Sequence, residues 1–203
     1  MGAIVDLRYA GTAAAGATSG MRIVLAAFAA IAFGAAAARA ELTAPPAWFL
    51  EEIKALTADG GRWITDNSAY RSEQEHFDQY GIEWRRSFDG ASMTGRLFGL
   101  NDGKEAGDFW EFRQYWHPGQ NEAVLEQFGW GGALGVGRLW REGEKTKADQ
   151  TFYSPDGTPS RIGHVAWFPD PDTHDSESFV IEDGKWTRDR RYIWKRARST
   201  TSN

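Results

Sequence analysis

The sequence predicts an all-β protein: an antiparallel up-and-down β-barrel of about nine to ten strands, preceded by one short N-terminal helix. Turn signals built from Gly, Pro and Asp recur every 12 to 16 residues after Gly61. The segments between them are rich in Trp, Phe, Tyr, Ile and Val, with polar residues interleaved, as in half-buried strands. The alternating helices that a parallel sheet needs are missing from the pattern.

Composition excludes several classes of function. The chain has 203 residues, of which 41% are hydrophobic and 14% aromatic, as expected of a globular protein. Its formal net charge is −5, and an acidic surface repels phosphate, so nucleic acid is not expected as a partner. Because the chain has no cysteine, it can form no disulfide, no thiolate metal site and no cysteine nucleophile.

The first forty residues predict export. Residues 1–20 have the character of an upstream extension, and residues 21–40 have that of a signal peptide. Arg22 precedes an apolar run, and Ala38-Arg39-Ala40 supplies the small-x-small cleavage pattern. We expect cleavage after Ala40, a periplasmic or secreted product, and no membrane association afterwards. A retained anchor is the alternative, although the uncharged run is short for a membrane-spanning helix.

The remaining chain divides into a helix, a barrel and a tail. Residues 41–60 should contain the helix, because Trp48, Phe49, Ile53 and Leu56 recur at helical spacing before Asp59-Gly60-Gly61 ends it. Residues 61–197 should form the barrel domain, and residues 198–203 a tail. The polar segment 68–79 is compatible with a short strand or a loop. Closing the meander removes its exposed edges, and a barrel of this size can hold one small ligand.

Two ends of the predicted barrel support closure. Gly61-Arg62-Trp63 opens the first strand directly after the helix, and the last strand carries Arg188, Arg190 and Arg191. This layout resembles lipocalin-type (calycin) barrels and, over residues 44–197, uncharacterised secreted bacterial domains. The resemblance implies that Gly61 and Trp63 close one end of the barrel, with Arg190 or Arg191 stacked on the Trp63 ring. It implies an architecture and no particular activity.

The segment GDFWEFRQYWHPG contains the first candidate ligand-binding residues. Glu111, Arg113, Tyr115 and His117 share one strand face. If that face is internal, they form a polar stripe in an aromatic cavity, where Arg113 would bind a ligand carboxylate. Both faces carry aromatic residues, so alternation does not identify the interior. A structural Glu111–Arg113 network or a solvated face is the alternative.

Gln127 and His164 complete the candidate set. Gln127 lies on the next strand and could approach the first. His164 shares a strand face with Ile162, Ala166 and Phe168, so it should be buried and neutral, either as a functional base or haem ligand or as a core histidine. The acidic segment around His174 matches no metal-binding template and predicts a solvated hairpin.

These features together predict an exported barrel that binds a small apolar or amphipathic molecule, with no cofactor and no metal. One alternative is an enzyme in the same cavity, with His117 or His164 as base and Arg113 holding an anion. Another is an envelope structural or interaction protein with a packed interior. The size of the cavity separates this last alternative from the others.

Overall fold

The computed structural model describes residues 44–197, which form one α-helix and ten β-strands. The elements are α1 (Ala47–Thr57), β1 (Arg62–Asp66), β2 (Gln79–Ser87), β3 (Ser92–Asn101), β4 (Lys104–His117), β5 (Glu122–Gly129), β6 (Leu134–Glu142), β7 (Lys145–Tyr153), β8 (Pro159–Asp170), β9 (Thr173–Glu182) and β10 (Lys185–Arg196). The predicted extension, signal peptide and tail fall on residues 1–43 and 198–203, outside the described range.

The strands form a closed antiparallel barrel in which each strand pairs with its neighbours in sequence. Closure comes from β1 and β10, where Trp63 pairs with Arg196 and Ile64 with Lys195. The predicted all-β up-and-down barrel is confirmed. Segment 68–79 is mainly a loop: a 3-10 turn at Ser68–Tyr70 precedes an irregular stretch, and β2 begins at Gln79.

Helix α1 covers one end of the barrel, which we call the helix end. Its apolar side chains Phe49, Ile53 and Leu56 are buried in the same core as Trp63. The Trp63 indole donates a hydrogen bond of 2.9 Å to the Leu56 carbonyl, which ties the helix to β1. The opposite end, which we call the open end, carries the β1–β2, β3–β4, β5–β6, β7–β8 and β9–β10 connections.

The arginine stacked on Trp63 is Arg196, so the expectation for Arg190 and Arg191 is wrong. The Arg196 guanidinium carbon lies 4.1 Å from the Trp63 ring centroid, and its nitrogens donate to the carbonyls of Ala55 and Ala58. Arg190 and Arg191 are too far along β10 to reach this end.

The structure also explains why position 61 needs glycine. Its φ is 69°, and an added Cβ would lie 2.0 Å from the Trp84 carbonyl oxygen.

Among residues 44–197, no helix combines the length and hydrophobicity needed to cross a membrane.

Candidate ligand-binding site

The pairing of the strands identifies the inner face of the barrel. Ala123, Leu139 and Ala148 are buried core residues that pair in register across β5, β6 and β7. The same row continues to Trp116 on β4 and to His164 on β8. Directly paired residues point to the same side of a sheet, so Trp116 and His164 face inward.

The predicted stripe on β4 therefore faces outward, so the condition for its role in an internal cavity is not met and the alternative of a solvated face applies. Glu111, Arg113, Tyr115 and His117 alternate with the inward residues of β4. Glu111 and Arg113 are exposed. The Tyr115 hydroxyl donates to Glu126 at 3.0 Å, and His117 Nδ1 accepts the Gln120 amide at 3.1 Å.

Cations cover several aromatic rings on the outer wall, which is why aromatic content did not reveal the inner face. Phe98 faces outward and yet is 0% exposed. Its ring lies between the guanidinium groups of Arg62 and Arg96, at 4.7 and 4.4 Å from their central carbons. Glu83 and Glu105 pair with these arginines and hold them in place.

Gln127 and His164, in contrast, lie inside the barrel. Gln127 Nε2 donates to Gln150 Oε1 at 2.8 Å, and Gln150 in turn donates to the Leu125 carbonyl. Burial lowers the pKa of His164 to about 4, so the imidazole is neutral near pH 7.

The turn of the β8–β9 hairpin, residues 169–172, is exposed as predicted, whereas His174 at the start of β9 faces inward and is half-buried. Its ring packs against Phe168, with 4.7 Å between the ring centroids and an interplanar angle of 31°, and its centroid lies 6.0 Å from that of Trp63. Its pKa is lowered to about 4 by burial. Among the described residues, no group of His, Asp and Glu side chains has the arrangement needed to hold a metal ion.

The open end contains a cavity of about 820 Å³. Loop β1–β2, the first part of β4, Trp130 and the inner face of β10 form its walls. Its lining residues include Glu75, Phe77, Tyr80, Leu97, Phe109, Trp110, Trp130, Arg190, Tyr192 and Trp194. Aromatic side chains are the largest group in this lining, which also holds two carboxylates, Glu75 and Asp108, and one guanidinium, that of Arg190.

The polar groups of the cavity form one connected network. Glu75 accepts hydrogen bonds from Tyr80 and, at 2.5 Å, from Arg190. Arg190 also donates to the Tyr192 hydroxyl at 3.2 Å, and that hydroxyl donates to Asn67 at 3.0 Å. Burial alone would raise the pKa of Glu75, but the bonds from Arg190 and Tyr80 outweigh it and lower the pKa. The pKa of Tyr80 is raised by burial and by Glu75, so its hydroxyl stays protonated.

Aromatic rings define the apolar walls of the cavity. Phe77 and Phe109 stack at 5.9 Å with an interplanar angle of 5°, and Tyr80 lies 5.1 Å from Phe109. A bulge in the β3–β4 pairing breaks strict alternation, so Phe109 and its neighbour Trp110 both line the cavity. Trp130 stands at the rim with 89% of its surface exposed.

Sequence reasoning did not find this site. Glu75 lies in segment 68–79, for which the sequence is compatible with a short strand or a loop. Arg190 was expected, with Arg191 as the alternative, to stack on the Trp63 ring. The detectable signal was an inward-facing arginine between aromatic residues on β10. No local pattern indicates that Glu75, 115 positions away along the chain, contacts this arginine.

A second cleft, of about 670 Å³, lies at the helix end between α1 and the β8–β9 connection. The buried carboxyl of Glu52 borders it and accepts a hydrogen bond from Thr146, while Arg141 Nη1 lies 3.7 Å away. Burial raises the pKa of Glu52 to about 7, although Thr146 and Arg141 act in the opposite direction.

Comparisons with known proteins identify no family for the chain. No family model matches it, and no curated protein matches it. A crystal structure of a protein of unknown function from Bacteroides fragilis is similar over 54% of this chain and 89% of that chain, with 9% sequence identity and a TM-score of 0.31.

Proposed function

We propose that this protein is an exported, lipocalin-like barrel that binds a small amphipathic molecule in its open-end cavity. The observation that supports this most strongly is the cavity of about 820 Å³ itself, whose lining is rich in aromatic rings and contains the Glu75–Arg190 pair. A packed structural domain would have no need of such a space. Ligand sites commonly combine an apolar lining with a few polar groups that fix orientation.

The apolar walls would bind the body of the ligand. Phe77, Phe109, Trp110 and Trp194 present ring surface to the cavity. Removing apolar ligand surface from water contributes about 25 cal/mol per Å². Aromatic walls also favour flat, conjugated ligands, since offset and edge-on ring contacts add to simple burial.

Arg190 would bind the polar end of the ligand, the role the sequence had suggested for Arg113. Its contacts to Glu75 and Tyr192 use Nη1, and Nε lies 3.7 Å from Asp189. Within residues 44–197, Nη2 of Arg190 has no hydrogen-bond partner. A carboxylate or similar acceptor on the ligand would take this donor, while Tyr80 and Tyr192 remain protonated beside it.

The test is a tryptophan-fluorescence titration with 2-naphthoate and its neutral analogue 2-naphthamide. Replacing Arg190 with Met removes the guanidinium, and the accompanying change Glu75→Gln avoids an unpaired carboxylate. The double variant should bind 2-naphthoate about tenfold to a hundredfold more weakly than wild type, because a charge-assisted hydrogen bond is lost. Binding of 2-naphthamide should fall much less.

Arg113→Met is the matched control, because Arg113 is exposed on the outer wall of the barrel. It should bind both probes as the wild type does. The proposal is rejected if neither probe binds the folded wild type, or if Arg113→Met weakens 2-naphthoate as much as the double variant does.

Export is the second part of the proposal, and it depends on residues 21–40. The protein made in its own host should begin at Glu41 when its N-terminus is sequenced. Recovery of intact residues 21–40 on a membrane-bound product would contradict cleavage.

A further inference from the structure

The helix-end cleft, of about 670 Å³, is lined by residues other than those of the open-end cavity. Helix α1 forms one of its walls, where Trp48 and Glu52 are four residues apart and are therefore neighbours on the helix surface. Further apolar surface comes from the end of β8 and the β8–β9 connection, at Phe168, Pro169 and Pro171. The cleft thus combines aromatic and proline walls with the carboxyl of Glu52.

One oxygen of the Glu52 carboxyl is free. Glu52 is only 7% exposed, and its Oε2 accepts the hydrogen bond from Thr146 and lies 3.7 Å from Arg141 Nη1. Oε1 has no hydrogen-bond partner among residues 44–197, and it is not fully enclosed by protein. Because Glu52 lines the cleft, Oε1 is the carboxyl oxygen that a molecule in the cleft can reach.

The Glu52 carboxyl is poorly solvated when it is ionised. Burial raises its pKa to about 7, although Thr146 and Arg141 act in the opposite direction. A positively charged donor in contact with Oε1 would stabilise the ionised form and complete the hydrogen bonding of the carboxyl. The cleft therefore offers a buried acceptor that suits a cationic ligand.

Carboxyl groups outnumber cationic groups on the walls of the cleft. The carboxyl groups are those of Glu51, Glu52, Asp59, Asp170 and Asp172, and the cationic groups are those of Lys54, Arg141 and Arg196. Arg196 is already engaged by the Trp63 ring, by backbone carbonyls and by Asp172. The remaining groups have an excess of carboxyls, which attracts a cation into the cleft and repels an anion.

We propose that the helix-end cleft is a second binding site, for a small organic cation that carries a primary ammonium group on a flat apolar body. The ammonium donates to Glu52 Oε1, and Glu52 releases its proton to solvent when the ligand binds. The apolar body packs against Trp48 and Phe168, and the Trp48 ring face also attracts the cation. This site is independent of the ligand proposed for the open-end cavity.

The test follows the indole N–H signal of Trp48 by NMR during titrations with 2-phenylethylamine and with its neutral analogue 2-phenylethanol. At pH 8 the wild type should bind the amine at least about tenfold more tightly than the alcohol, because only the ammonium gains a charge-assisted hydrogen bond. Glu52→Gln should abolish this preference and leave the affinity for the alcohol within about twofold. Glu144→Gln is the matched control: it removes the same charge from the exposed β6–β7 turn and should keep the preference.

The pH dependence of binding provides a second measurement on the wild type. The affinity for 2-phenylethylamine should rise about tenfold between pH 6 and pH 8, because the pKa of Glu52 is about 7 and binding needs its ionised form. The other charged groups on the walls are carboxyls, an amine and guanidinium groups, classes whose ordinary pKa values lie outside this range. His174, which packs against Phe168, stays neutral, since burial lowers its pKa to about 4.

Three results would overturn the amine site: no shift of the Trp48 signal with the amine, equal affinity of the wild type for the two probes, or tighter binding of the anion 3-phenylpropanoate. If Glu52→Gln does not fold, an affinity of the wild type that stays constant between pH 6 and pH 8 would overturn it as well. None of these results affects the open-end cavity, whose binding is tested separately with 2-naphthoate.

Discussion

At the scale of single residues, arginine–aromatic contacts stabilise both surfaces of the barrel wall. Arg196 covers the Trp63 ring at the helix end and also binds two carbonyls that end α1. Arg62 and Arg96 enclose Phe98 on the outer wall. A guanidinium lies flat on a ring and keeps its in-plane donors for carboxylates or carbonyls, so one arginine can both cover apolar surface and fix neighbouring backbone.

Trp63 should be the most costly tryptophan to remove. Trp63→Ala deletes a fully buried ring, its hydrogen bond to Leu56 and its contact with Arg196, and should lower the free energy of unfolding by about 3–5 kcal/mol. Trp130→Ala is the control, because Trp130 is 89% exposed and should change stability by less than about 0.5 kcal/mol. Urea unfolding of both variants measures the difference. Equal stabilities would show that Trp63 does not hold the helix end closed.

At the scale of elements, α1 closes the barrel with an apolar face and one buried carboxyl. Phe49, Ile53 and Leu56 fill the helix end, while Glu52 from the same helix meets Thr146 on β7 and Arg141 on β6. With its pKa raised to about 7, Glu52 is held most favourably in its protonated form. The protonated Glu52 carboxyl therefore contributes fully to the free energy of unfolding below pH 4.5, and this contribution is lost as the pH rises through 7.

Glu52→Gln should remove this pH dependence. The wild type should lose roughly 3 kcal/mol of stability relative to the variant between pH 4.5 and pH 8, because a shift of one pKa unit corresponds to about 1.4 kcal/mol. His164 and His174 have depressed pKa values and destabilise both proteins as the pH falls from 6.5 to 4, so their effect cancels in the comparison. Urea unfolding at several pH values gives the result. A constant difference between the two proteins would mean that Glu52 is ionised in the folded barrel throughout.

At the scale of the whole molecule, the two ends of the barrel have different character. The helix end is covered by α1, which Trp63 and Arg196 bind to the barrel, whereas the open end contains a cavity with aromatic walls and a polar network.

Regular turn spacing was sufficient to predict the barrel, because each turn is followed by a new antiparallel strand. Strand alternation was insufficient to predict the site, because cations cover outward-facing rings and the β3–β4 bulge brings Phe109 and Trp110 to one cavity. The pairing of Glu75 with Arg190 depends on barrel closure, which joins distant segments that local patterns do not connect.

The most direct test of the proposed binding is to locate a bound probe through the indole N–H signals of the tryptophans by NMR. Saturating 2-naphthoate should shift the signals of Trp110, Trp130 and Trp194, which line the cavity, and leave those of Trp140 and Trp186 unchanged, since these two pack against each other on the outer wall. Shifts confined to Trp48 at the helix-end cleft or to the outer tryptophans, or no shifts at all, would contradict binding in the open-end cavity.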